Sequence, residues 1–217
     1  KKEIIFARKS IVVAATFGLI ASLYLAFTGD GSAYQVAQKQ PAKLAAMEGL
    51  YEGKTNAGLV VLGVLNPKKA FNNDEKDFLF KIEIPKLLSL LSYRKADAFV
   101  PGINDLIFGN TNYPDLLSAE DKMKEGKIAL SALATYKKAR KENNIALADS
   151  ALKVFEGKYY YMGYGHFKNP ADIIPNVPVT FYSFHVMVIL GIWFIFIFTL
   201  VLVLLYFKRY GKNKFIL

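Results

Sequence analysis

Two uninterrupted apolar runs constrain this chain more than any other feature. Ile11 to Phe27 (IVVAATFGLIASLYLAF) contains no charged residue, and its length meets the lower limit of about 17 residues for a helix that crosses a bilayer. Val177 to Phe207 is longer, and its one acidic or basic side chain is His185. At about 1.5 Å per residue the second run exceeds a hydrocarbon core of roughly 30 Å, so it must tilt or extend past the headgroups. Only helices and closed barrels satisfy their backbone polar groups inside lipid. The expected fold is therefore an all-α membrane protein, with two transmembrane helices flanking a long, mostly helical loop. The expected division is a flank and first helix over 1–29, the loop over 30–176, the second helix over 177–207 and a basic flank over 208–217.

A cleaved signal is the rival reading of the first run, with Lys1, Lys2, Arg8 and Lys9 as its basic region. Against it, TGDGSAYQ is a poor small-residue cleavage site and the apolar stretch is long for a signal. A retained helix fits better. The chain begins with Lys1 rather than methionine, which suggests a fragment or a processed product. Both flanks are basic, KKEIIFARKS before the first run and KRYGKNK after the second. Both ends therefore read as cytoplasmic and the loop as extracytoplasmic. The loop's own lysines do not oppose this, because long loops translocate largely regardless of charge. The formal net charge of +10 is explained in part by anionic lipid at the flanks. No basic stretch is interleaved with aromatics, so nucleic acid is not an expected partner. The absence of cysteine suits an oxidising exterior.

Within the loop, GDGSAY reads as a turn. Ala37 to Glu52 has helix-forming composition, with Gly53 as its cap. Gly58 to Leu65 (GLVVLGVL) is a buried strand or a segment lying on the membrane, which periodicity does not decide. Phe78 onward alternates through KIEIP and then turns helical, with Pro85 near the helix start. Ser118 and Asp121 form an S-x-x-D capping signal for a helix to about Lys141. A second helix spans Ile145 to Glu156, with Gly157 at its end.

Several chemistries are excluded by residue type. Thiol and iron–sulfur chemistry need cysteine, and neither a phosphate-binding G-x-x-x-x-G-K-[ST] nor an H-E-x-x-H is present. Two histidines, His166 and His185, cannot build a histidine-rich metal site. His166, in GYGHF, reads as a loop residue, and Trp193 reads as lipid-facing or packing. What remains is charge at the membrane edge, above all Lys43 and Glu48 in QPAKLAAMEG. On composition alone Lys39, Lys43, Glu48 and Glu52 could equally belong to a solvated helix face. Five helical positions separate side chains by roughly 140°, so Lys43 and Glu48 do not share one face of a regular helix.

Four stretches, in order, resemble subunit I of the cytochrome bd-type quinol oxidases. They are the helix that starts at ARKS and ends in GDGSAY, then QPAKLAAMEGLYE, then IEIPKLLSLLSYRKADAFVPGINDL, and finally FYSFHVMVILG. The second is similar to the family's K-L-A-A-x-E opening of the quinol-binding loop. The third is similar to its I-P and V-x-G-[LI]-x-x-L segments, and the last to its F-R-x-M-V-x-x-G. The match covers the whole chain but only the middle of a full-length subunit.

The resemblance implies a quinol:oxygen oxidoreductase of a bacterial inner membrane. Quinol, either ubiquinol or menaquinol, would be its substrate. Lys43 and Glu48 are then the pair at the quinol site. A partly desolvated Glu48 suits a proton acceptor, and Lys43 suits an anchor for a quinone oxygen. Met187 is then an axial ligand of a low-spin haem b, whose partner histidine lies on a helix outside this chain. A second haem b, a haem d, a subunit II and small subunits belong to the complete enzyme. His185 stands where the family typically has arginine. Positions 185 and 187 differ by roughly 200° around a helix, so both cannot face one iron. Met187 is the expected ligand, and His185 a hydrogen-bonding or haem-edge residue that still belongs to the cofactor's surroundings.

A two-span sensor displaying an extracytoplasmic ligand-binding domain is the competing class. It requires a cytoplasmic output domain, where this chain shows only a short basic tail. A plain membrane anchor leaves QPAKLAAMEG and Met187 without a purpose.

Overall fold

The computed structural model describes residues 2–207, so the basic flank expected over 208–217 lies outside the described residues. Helix α1 covers Lys2–Lys39 and helix α7 covers Val177–Tyr206. The two are long and apolar enough to cross a membrane, with mean hydropathies of 2.1 and 3.1 over their most apolar windows. They pack antiparallel. Arg8 donates from Nη2 to the carbonyl of Leu205 at 2.8 Å, and Gly18 lies under the ring of Phe198, where a Cβ would meet the ring at 2.6 Å. The first and last turns of the described chain thus lie together at one end, and the loop occupies the other.

Helix α1 does not end at the expected GDGSAY turn. It runs on through Gly29 and Gly31 to Lys39, a total length of about 57 Å at 1.5 Å per residue, well beyond a core of roughly 30 Å. Each interior glycine costs about 1 kcal/mol relative to alanine, and tertiary contacts offset that cost. Ala37 is buried with Leu44, Ala57, Leu88 and Val100. Arg94 holds Asp30 in a bidentate pair, with Nη1 to Oδ1 at 3.1 Å, and lies over the ring of Tyr34. The chain breaks at Gln40, ahead of Pro41, because proline disfavours helical geometry in the preceding residue. The single helix expected over Ala37–Glu52 is consequently split. Its first three residues finish α1, and α2 is Pro41–Glu48. Its cap is Gly49 in the left-handed conformation (φ 60°), not Gly53.

The rest of the loop holds short elements. β1 (Lys54–Thr55) pairs with β4 (Phe99–Val100), and β2 (Leu59–Leu65) pairs with β3 (Phe78–Ile84), both antiparallel. GLVVLGVL is thus a strand, and its ribbon partner supplies the backbone hydrogen bonds that periodicity could not reveal. Helix α3 is Leu87–Tyr93 and α4 is Ile103–Phe108. Helix α5, Ala119–Lys141, is capped as expected by Ser118, whose hydroxyl accepts from the Asp121 amide. Helix α6, Ile145–Lys158, runs through Gly157 into a 3₁₀ segment, Tyr159–His166, that packs back on α5. His166 is exposed at the end of that segment. The class is all-α, with two small ribbons inside the loop.

A polar clasp fixes where α2 exits. Asp105 of α4 accepts from the amides of Gly53 and Gly102, both at 2.8 Å, and from Asn110 Nδ2 at 2.6 Å. Ile103 and Asn104 donate their amides to the carbonyls of Leu50 and Tyr51, both at 2.9 Å. Gly102 is required here, since a Cβ would meet the Tyr51 carbonyl oxygen at 2.5 Å. Removing the carboxylate leaves two backbone donors without their partner. Asp105→Ala should therefore destabilise the loop by about 1–3 kcal/mol, read as faster proteolysis of the loop in the intact protein and a lower melting temperature.

Candidate functional site

Helix α2 presents its predicted pair to opposite environments. Lys43 is exposed on one side, while Glu48 is buried on the other, at 3% exposure. Their separation around the helix leaves no alternative. The reading of Glu48 as one more solvated charge is therefore wrong: it is buried, and the chain turns inward at the next residue, Gly49, in the left-handed conformation, with Leu65, Phe78 and Phe181 packed against that glycine.

Glu48 Oε2 is buried and has no hydrogen-bond partner among the described residues. Burial pushes its carboxyl up to about 8 from 4.5, opposed only in part by the Val60 backbone N–H. Among the described residues, no cation acts on it to restore the charged form. A carboxyl in such a place can hold or release a proton near neutral pH.

Val60 ties this carboxyl to helix α7. Strand β2 has a register shift between Val60 and Leu62, a bulge that re-aims backbone groups. The Val60 carbonyl lies 2.9 Å from His185 Nε2. On the other side of the ring, Nδ1 lies 2.9 Å from the carbonyl of Phe181, one turn earlier. The imidazole also packs against the Phe181 ring, with centroids 4.0 Å apart. Carbonyl oxygens only accept, so a neutral ring donates to one of them and a doubly protonated ring to both.

The structure thus sets His185 on the Val60 carbonyl and Glu48 near the Val60 N–H, groups of two successive peptides, and it separates both from Lys43 and Met187. Met187 is 61% exposed on the bare side of α7, as its offset from His185 requires. Its thioether is not engaged in packing the loop. Trp193 is likewise exposed. Sequence reasoning missed the Val60 carbonyl that pairs with His185, because a backbone group leaves no mark in side-chain identity. It also missed the Asp105 clasp, although the G-I-N-D run contains both the glycine and the carboxylate.

Comparisons with known proteins give the same frame. The family model of cytochrome bd terminal oxidase subunit I matches residues 1–216, and the chain belongs to that family. A Bacillus subtilis (strain 168) protein, provisionally named a cytochrome bd menaquinol oxidase subunit I, is 39% identical over 54% of this chain and 25% of its own length. The cytochrome bd-II ubiquinol oxidase subunit 1 of Escherichia coli (strain K12) is 29% identical over 84% of this chain and 35% of its own. The chain thus spans between a quarter and about a third of the length of these two relatives. The solved bd oxidase of Geobacillus thermodenitrificans aligns with 94% of this chain and 50% of its own, at 23% identity and a TM-score of 0.41.

The raised proton affinity of Glu48 has a consequence for stability. A carboxyl that binds its proton more tightly folded than unfolded contributes stability that is complete below pH 4.5. That contribution is lost progressively as the pH rises to about 8. Glu48→Gln removes this slope while keeping the shape. The melting temperature of the variant should gain on that of the natural protein across this interval, with little further change above it.

Proposed function

We propose that this chain is the quinol-oxidising part of a cytochrome bd-type oxidase subunit, with quinol bound at the loop beside the membrane edge. The observation that carries this reading is Glu48, a buried carboxyl with one free oxygen and a proton affinity matched to neutral pH. Oxidation of a quinol breaks two O–H bonds and releases two electrons and two protons. The Glu48 carboxylate takes one hydroxyl proton, which leaves the quinol more easily oxidised, and returns it to water on the loop side; the second hydroxyl proton passes to water by the same route once the first has left. Lys43, on the solvated face of α2, anchors the other quinol oxygen and balances negative charge that develops there.

A haem b fits one observation on α7. Met187 offers an exposed thioether on the face opposite the loop contact and would hold the haem iron from this chain, together with a histidine from a helix outside it. Such a haem supplies the acceptor for quinol electrons on their way to oxygen, and the complete subunit would carry a second haem b and a haem d. His185 holds the loop against the same helix. Subunit II, and possible small subunits, complete the enzyme in the bacterial inner membrane. The loop would face outward and both ends of this stretch the cytoplasm.

In the complete oxidase, Glu48→Gln and Lys43→Ala should each lower quinol oxidation by about tenfold or more, at the low end of what general acid–base groups contribute. Haem content and turnover with an artificial electron donor should be unchanged. Met187→Leu conserves volume and should instead abolish the low-spin haem b spectrum. Normal quinol turnover in both loop variants would remove the site from α2. Protease added to the outer face of oriented membranes should cut the loop and stop quinol oxidation. Cleavage from the cytoplasmic face alone would reverse the topology.

A further inference from the structure

The ribbon of β2 and β3 leaves one side uncovered. Cross-strand partners in an antiparallel ribbon point to the same face, and alternate residues along a strand share it. The register sets Leu62 opposite Ile82 and Val64 opposite Phe80, with Ile84 next along β3. These five side chains make one apolar face, and each is between 47% and 56% exposed. The other face carries the buried Val60 and the Lys81–Glu83 ion pair. Val61 and Leu79, left unpaired at the two register shifts, are exposed as well and add apolar surface. A surface that faces only water rarely gathers so many bare apolar side chains.

The attachment of the ribbon points to its partner. Helix α7 holds the outer edge of β2. The Leu65 amide donates to the Tyr182 hydroxyl at 3.1 Å, and the Val60 carbonyl lies 2.9 Å from His185 Nε2. Counting outward from the Gly18–Phe198 contact, the end of the α1 apolar run at Phe27 is about level with Ile189. His185 lies one turn further out, a rise of roughly 6 Å. Asp30, paired with Arg94, stands at about the same level on α1. The ribbon is thus fixed at the margin of the two apolar spans. Its depth also has a physical limit. The outer edge of β3 has no strand partner among the described residues, and open sheet edges do not lie in hydrocarbon, where their N–H and C=O groups would lose water. A headgroup layer satisfies both demands, since it hydrates the edge and covers the apolar face.

We propose that the β2–β3 ribbon lies on the bilayer surface, its apolar face against the acyl boundary and its Lys81–Glu83 pair toward water. The partner is a lipid surface, and the contact continues the apolar sides of α1 and α7. It holds the loop to the membrane at a further point beside the two helices. The inference goes beyond the quinol reading and does not require Glu48 to be the proton acceptor.

Spin labelling of the complete oxidase in lipid nanodiscs tests this, one cysteine at a time in a background without others; this stretch contributes none. Phe80→Cys, Ile82→Cys and Ile84→Cys label the apolar face, and Lys81→Cys and Glu83→Cys the opposite one. Nitroxides at 80, 82 and 84 should meet dissolved oxygen in preference to a water-soluble nickel chelate, at a depth of about 5–10 Å into the headgroup and acyl boundary. Those at 81 and 83 should show the reverse preference. Haem content and quinol turnover identify the labelled variants that keep their fold, and Leu62→Cys on the facing strand reads the apolar face independently. Equal access of the chelate to 81 and 82 puts the face in water and overturns the proposal. Low access of both reagents at 80, 82 and 84 overturns it too, because the face is then covered by another helix of the oxidase or by a second copy.

Discussion

The packed antiparallel pair of α1 and α7 is the constraint on which the rest of the structure depends. It holds the two ends of the loop side by side, which removes most of the closure entropy that a segment of this length would otherwise lose on folding. Because α1 is longer than a bilayer is thick, its last turns stand clear of the apolar span and serve as a post. Ala37 and the Asp30–Arg94 pair fix the loop to that post, and Phe181 and His185 fix it to α7. The loop is thus anchored to both helices.

Burial of Glu48 follows from that anchoring. An unpaired carboxylate in an apolar setting is costly, and the group responds by holding its proton. The surrounding elements each serve another structural purpose as well. Gly49 turns the chain, β2 completes a ribbon, and Phe181 belongs to the largest apolar cluster in the loop. Few of these contacts can change without moving the carboxyl. A structural reason and a chemical one therefore coincide at the same residues, and the α4 clasp, well separated in sequence from α2, controls the same geometry through Leu50 and Tyr51.

Much of this was legible in the residues. The two apolar runs marked α1 and α7 because hydrophobic length is additive and needs no partner to be read. Ser118 and Asp121 marked the start of α5, and Pro85 marked the change from strand to helix, because caps and prolines act within a few bonds. The offset of Lys43 from Glu48, and of His185 from Met187, followed from helical geometry alone. These angles placed each pair on different faces before any contact was known.

Other features depended on groups distant in the chain. Whether GLVVLGVL was a strand or a membrane-lying segment rested on β3, its partner across the ribbon. Whether α1 stopped at its glycines rested on Ala37 finding a core and Asp30 finding Arg94. Which of the two charges on α2 would be buried rested on Phe181, more than 130 positions onward by the numbering. The pairing of His185 with Val60 is the clearest case, since one partner is a carbonyl that every residue possesses. Local rules set the helices, their caps and the angles between side chains. Only tertiary packing decided which side chain would lose its water, because desolvation is a property of everything that surrounds a group and not of the group itself.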